Sequence, residues 1–182
     1  MKSSVKEITY GSIFVLLMSL SGGLLKIYAP FLPFSLQPII VILAGFILNP
    51  RTAFLCQAAY LFLGLIGLPV FTSGGGIGYV LTPSFGYILG FVVSCYIVSV
   101  IRTKLKKKTG LTLLTISLIG LISIYIIGVP YMYVILRYIG GNTGISFITT
   151  LTGNIVYFAK DILSIVLLNP VIKLIYKIKK IE

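Results

Sequence analysis

Charge in this chain is confined to the ends of long apolar segments, and that arrangement limits the fold more than any motif does. Fifteen lysines and arginines stand against three acids, giving a formal net charge of +12. Most of the positive charge gathers in two clusters, Arg102, Lys104, Lys106, Lys107, Lys108 and Lys173, Lys177, Lys179, Lys180. Between these flanks the chain is 58% hydrophobic, only 10% of it is charged, and the mean hydropathy is +1.10. Soluble domains carry about 25% charge. The expected class is therefore an all-α integral membrane protein of several spans. The first apolar run is not expected to be a cleaved leader, because equally apolar runs follow and no small-residue cleavage site closes it. Nucleic-acid binding is excluded: the basic clusters flank hydrocarbon-length segments, where they mark inside loops and contact with the lipid bilayer.

A spanning helix needs about 20 apolar residues. Six such segments are expected, over residues 8–28, 35–49, 52–68, 83–101, 111–128 and 157–177, within one membrane domain, 1–182. Pro30 and Pro33 break the first from the second, and Asn49-Pro50-Arg51 separates the second from the third. Thr82 and Pro83 read as N-cap and first residue of the fourth helix. The fifth has room to continue past a kink at Pro130. Residues 145–176 taken as one helix would be too long for the bilayer, so a break is expected near Gly153-Asn154, leaving an outer element at 144–152. With both termini in the cytoplasm, twelve basic residues fall inside and only Lys26, Arg137 and Lys160 outside. A five-span count would put the 102–108 cluster outside and is rejected.

The loop 69–82 then faces out, together with the start of the sixth helix. It carries Gly74, Gly75 and Gly76, whose backbone can approach a guest closely because no Cβ intervenes. No lysine accompanies them, so phosphate is not the expected guest. Asp161 is the one acid between Glu7 and Glu182. An ionised group inside a membrane segment costs about 2.5–3.5 kcal/mol at the centre, so it is read as functional. Lys160 is its neighbour, but adjacent helical residues do not face each other, so a close mutual pair is not expected. Asn154, Tyr157 and Asp161 follow at i, i+3 and i+7 on one helical face. Gln37 sits at the outer turn before the second helix. Gly86-x-x-x-Gly90 reads as a helix-packing notch.

The residue inventory speaks against catalysis. There is no G-x-x-x-x-G-K-[ST], no histidine and no carboxylate pair, and Cys56 and Cys95 lie inside apolar segments. No catalytic residue, metal site or cofactor is expected. The residues suit a binding subunit, with a non-transporting scaffold or a self-sufficient carrier as the other classes.

Two stretches carry a resemblance. LPFSLQP (32–38) and GLIGLPVFTSGGGIGYVLTPSFGYILGF (64–91) resemble the BioY family, the biotin-specific S components of energy-coupling factor (ECF) transporters. Tyr60, Gly64, Gly67, Pro69, Val70 and Phe71 fit its middle element; Pro83, Ser84, Gly86, Tyr87, Gly90 and Phe91 fit its last. Asp161 is similar to the acid that opens the family's sixth helix. The resemblance implies a six-helix subunit of a prokaryotic cell membrane that captures biotin from outside. Its partners would be the EcfT scaffold, which docks on small residues of the first helix (Ser19 and Gly23 here), and two ABC-type ATPases. It further implies a site in which Asp161 and the amides of Asn154 or Gln37 meet the ureido group. Phe71, Tyr79 and Tyr87 would pack on the sulfur ring, and loop N–H groups or Lys160 would meet the carboxylate, near Tyr157. Many relatives have Pro-Gly before the acid and lysine three positions after it. Here FAKDILS places Ala159 and Lys160 before and Ser164 after, which leaves another vitamin-like guest as the alternative.

Overall fold

The computed structural model describes residues 5–24, 27–29, 32–105 and 109–178. Lys2, Lys26, Pro30, Lys106, Lys107, Lys108, Lys179 and Lys180, which entered the topology argument, lie outside the described residues.

The chain is helical apart from one short hairpin. Helix α1 covers Val5–Ser19 and passes into a π-turn over Leu20–Leu24. Strands β1 (Ile27–Ala29) and β2 (Leu32–Phe34) pair antiparallel, with Tyr28 opposite Pro33. The segment expected to stay helical to 28 thus leaves the helix early. Within the π-turn, a Cβ at Gly22 would sit 2.2 Å from the Val70 carbonyl oxygen, so this position passes hard against the loop.

Helix α2 (Gln37–Ile47) carries Pro38 in its first turn, where the missing N–H costs nothing. Helix α3 (Pro50–Leu65) is capped by Asn49, whose Oδ1 accepts from the Thr52 N–H at 2.9 Å. A 3₁₀ turn at Ile77–Leu81 precedes α4 (Phe85–Lys104). Thr82 does not cap α4: its hydroxyl donates to the Tyr79 carbonyl at 2.7 Å and closes the 3₁₀ turn, so the helix begins two residues after Pro83. Helix α5 (Gly110–Val134) continues past Pro130 and ends in a π-turn over Ile135–Ile139. Helix α6 (Phe147–Gly153) is short and capped by Ser146; Asn154 separates it from α7 (Ile155–Ile178).

Among the described residues, α4, the Gly110–Ile139 segment and the Phe147–Tyr176 segment are long and apolar enough to cross a membrane; α2 is a shorter apolar helix. The bundle closes by small residues and interhelical hydrogen bonds, the devices that work where lipid offers no hydrophobic contrast. At the Gly86-x-x-x-Gly90 notch a Cβ would strike Tyr131 or the Ile124 backbone, so α4 lies against α5 at backbone distance. Ser94 donates to the Gly120 carbonyl at 2.8 Å across the same pair. At one end, the Leu48 carbonyl between α2 and α3 accepts from Ser99 at 2.6 Å and Arg102 at 2.8 Å on α4. Tyr176 of α7 reaches the Phe46 carbonyl there at 3.2 Å. The opposite end gathers the start of α2, the 66–84 loop, α6 and the start of α7.

Candidate binding site

At that second end the helices leave a cavity of about 360 Å³, within the range of roughly 300–1,000 Å³ of small-molecule pockets. Its polar lining is Ser35, Gln37, Asn154, Tyr157, Lys160 and Asp161; Tyr79, Tyr87, Ile88, Phe91 and Ile124 supply aromatic and apolar surface. Five elements supply it: the N-terminus of α2, the 3₁₀ turn, α4, α5, and the first two turns of α7.

Asp161 is 4% exposed, with one oxygen hydrogen-bonded and the other in ion contact. Tyr125 of α5 donates its hydroxyl to Oδ2 at 2.8 Å. Lys160 Nζ lies 2.5 Å from Oδ1 and also donates to the Ser35 carbonyl at 3.1 Å. The close pair that helical spacing argues against does form. The lysine stem is long enough to fold back over the helix surface, and a carboxylate taken out of water demands a counter-charge. The pair is formally neutral and sits at the cavity wall.

The amides are tied in the same way. Asn154, at the α6–α7 junction, accepts from the Tyr87 hydroxyl at 2.7 Å and donates to the Thr150 carbonyl at 2.8 Å. Gln37 donates to the Tyr60 hydroxyl at 2.6 Å, and Tyr60 passes its own proton to the Val70 carbonyl at 3.0 Å. So Gln37 and Tyr60 link α2 and α3 to the start of the loop. Asn154 holds Tyr87 in the wall.

The glycine loop behaves differently from its sequence-based reading. Phe71 is 1% exposed and does not line the cavity among the described residues. It stacks between Tyr60 and Tyr79, at ring separations of 5.5 and 4.7 Å, and lies on Gly64. Gly74 exchanges hydrogen bonds with Phe71, and the Gly76 N–H donates to the Gly64 carbonyl at 2.7 Å. Gly74 and Gly76 have φ of 116° and 103°, which L side chains rarely adopt. Gly75 is required by crowding instead, since a Cβ would fall 2.1 Å from the Leu68 carbonyl. The three glycines fold the loop onto itself and seat Tyr79, which faces the cavity together with Thr72, Pro83 and Ser84.

Asp161, Lys160, Asn154, Tyr157, Gln37, Tyr79 and Tyr87 are thus brought to one cavity, and Phe71, Gly74, Gly75 and Gly76 are placed behind its wall. Tyr125 was missed. It lies in an unbroken apolar run, where a tyrosine carries no local mark. Ser35, Ile88 and Ile124 also join the lining.

Comparison with known proteins shows the family and the fold. The profile of the BioY family matches residues 1–180. A probable biotin transporter BioY of Lysinibacillus sphaericus is 44% identical over 116 residues, 64% of this chain and 59% of that relative, so the match spans less than two thirds of its length. One from Pyrococcus horikoshii is 37% identical over 138 residues, 75% of this chain and 78% of the relative. The biotin transporter BioY of Lactococcus lactis aligns over 95% of this chain and 92% of its own length at 28% identity. A crystal structure of the S-component for biotin from an ECF-type ABC transporter superposes with a TM-score of 0.80 at 27% identity, covering 95% of this chain and 92% of that one.

Proposed function

The chain belongs to the BioY family, and from that premise we propose that it is the high-affinity biotin-binding S component of an ECF-type vitamin uptake transporter, not an enzyme. The observation that carries the reading is the neutral Lys160–Asp161 pair at the wall of a cavity otherwise rich in aromatic and aliphatic side chains. Such a wall offers an acceptor and a donor side by side without net charge, which matches a cyclic urea. The ureido N–H groups donate to the Asp161 carboxylate, and the ureido oxygen accepts from Lys160. Charge-assisted bonds of this kind contribute about 1.5–3 kcal/mol each. The sulfur-containing ring packs on Tyr79 and Tyr87. Tyr157, Gln37 and Asn154 border the polar side, the two amides acting through the tyrosines they hold. Phe71 and the three glycines act on the guest through the position of Tyr79.

Ser164, at the position where many relatives carry lysine, donates to the Lys160 carbonyl at 2.9 Å. The cation is therefore supplied by Lys160 instead. In the proposed topology six spans place both termini in the cytoplasm and the cavity on the outer face of a prokaryotic plasma membrane. EcfT and two ABC-type ATPases supply the energy.

Titration of the purified, detergent-solubilised chain with biotin, with biocytin and thiamine alongside, tests the reading. Stoichiometric binding of biotin at nanomolar concentration, about −12 kcal/mol, is expected, with no binding of thiamine. Folded protein that ignores biotin and takes another vitamin-like molecule would overturn it.

A further inference from the structure

A second hollow lies on the lipid-facing side of the same region. It measures about 390 Å³ and runs between α5 and the α6–α7 pair. Ile122, Ile126 and Pro130 form one side; Phe147, Leu151 and Phe158 form the other. Almost no polar atom faces it. Ile126 is 66% and Leu151 48% exposed, so the groove is open to whatever surrounds the bundle.

Arg137 is linked to this groove through Tyr133 and Phe147. Its guanidinium donates to the Ile145 carbonyl at 2.9 Å and lies about 6 Å over the rings of both Tyr133 and Tyr138. Tyr133 in turn meets the edge of Phe147, the residue that closes the groove, at 5.6 Å. No carboxylate serves Arg137 among the described residues: Asp161 is paired with Lys160, and Glu7 bonds Asn49 at the other end of the bundle. A cation thus stands next to the apolar groove, with Tyr133 and Phe147 between them.

We propose that this groove is a phospholipid site, holding one acyl chain of an anionic lipid from the leaflet on the cavity side, with its phosphate on Arg137. Length and charge select this occupant. From Ile122 to Pro130 the helix rises about 12 Å, close to the roughly 15 Å of hydrocarbon in one leaflet, and the cation next to the apolar groove fits an anionic headgroup. Arginine is suited to phosphate by its planar fork of donors.

The groove is not isolated from the ligand cavity. Tyr125 and Asn154 line both, and Phe158 stacks edge-on against Tyr125 at 4.9 Å. One layer of side chains separates lipid from guest, and that layer holds Asp161 and Tyr87 in place.

The lipid site does not depend on what the cavity binds and is tested by counting lipid. Native mass spectrometry of the detergent-solubilised full chain, supplied with phosphatidylglycerol or phosphatidylcholine of equal chain length, is expected to show one retained phosphatidylglycerol. Arg137→Gln should lose about fivefold of the preference for the anionic lipid, the worth of one basic residue near an anionic surface. Arg137→Lys should keep most of it, and Ile126→Trp, which fills the groove, should lose retention of both lipids. Folding of each variant is checked by circular dichroism and gel filtration. Unchanged preference in Arg137→Gln, or undiminished retention in Ile126→Trp, would overturn the proposal. So would a dimer in place of a retained lipid, which would make the groove an interface between copies.

Discussion

Asp161 and Tyr125 stand 36 positions apart, yet one carboxylate oxygen accepts the tyrosine proton at 2.8 Å while the other faces Lys160. A buried carboxylate held on both sides presents a fixed rather than a mobile acceptor to a guest. Asp161→Asn keeps the shape but removes the charge that makes the ureido bonds strong and leaves Lys160 without its counter-charge. Biotin affinity measured by titration should fall tenfold or more; unchanged affinity in folded protein would remove Asp161 from the site. Tyr125→Phe deletes only the supporting bond. Its effect on biotin affinity should be smaller, about threefold to tenfold, for the loss of one hydrogen bond. A Tyr125→Phe effect larger than that of Asp161→Asn would mean that the tyrosine, not the acid, contacts the guest.

At the scale of the element, the 66–84 loop is a folded unit rather than a flexible lid. Its weight rests on Gly64 of α3, where a Cβ would lie 2.0 Å from the Phe71 ring, and Phe71 carries Tyr79. Gly64→Ala should displace Phe71 and, with it, the cavity wall. A melting experiment should show destabilisation of about 1–3 kcal/mol, the usual cost of overpacking, together with weaker biotin binding. Gly78→Ala is the control: nothing lies within 4 Å of its Cβ position, and both readouts should stay at wild-type values. If the two alanines behaved alike, the stack of Tyr60, Phe71 and Tyr79 would not be what positions the loop.

Across the whole molecule the two ends are built differently. One end opens into the cavity; the other is cross-tied, with Ser99 and Arg102 on the Leu48 carbonyl, Glu7 on the Asn49 N–H and Tyr176 on the Phe46 carbonyl. Helices α1, α2, α4 and α7 thus converge on the α2–α3 turn. A bundle knotted there suits capture from one side and leaves release to partners that move it as a body. Liposomes holding this chain alone should bind labelled biotin without accumulating it against a gradient, and accumulation should need the scaffold, the ATPases and ATP. Accumulation by the chain alone would favour a self-sufficient carrier.

Hydropathy, proline placement and the distribution of charge act within one segment at a time, and they determined the membrane class and the approximate helix segments, while the ordered motifs at 32–38 and 64–91 carried the resemblance to the family. The same local logic singled out Asp161, because a lone acid in an apolar run is conspicuous wherever it folds. Which side chains meet was decided only in three dimensions. The helices are apolar nearly all round, so periodicity gives no clue to which face turns inward. Tyr125 therefore stayed hidden, and Asn154 and Gln37 read as free amides although Tyr87 and Tyr60 already hold them. Lys160 was read from backbone geometry as turned away from its neighbour, whereas burial of the carboxylate draws the two together. The glycines were read as contacts for a guest. Crowding at Gly64 and Gly75, which arises only once the loop packs on α3, turns them to holding the wall that the guest meets.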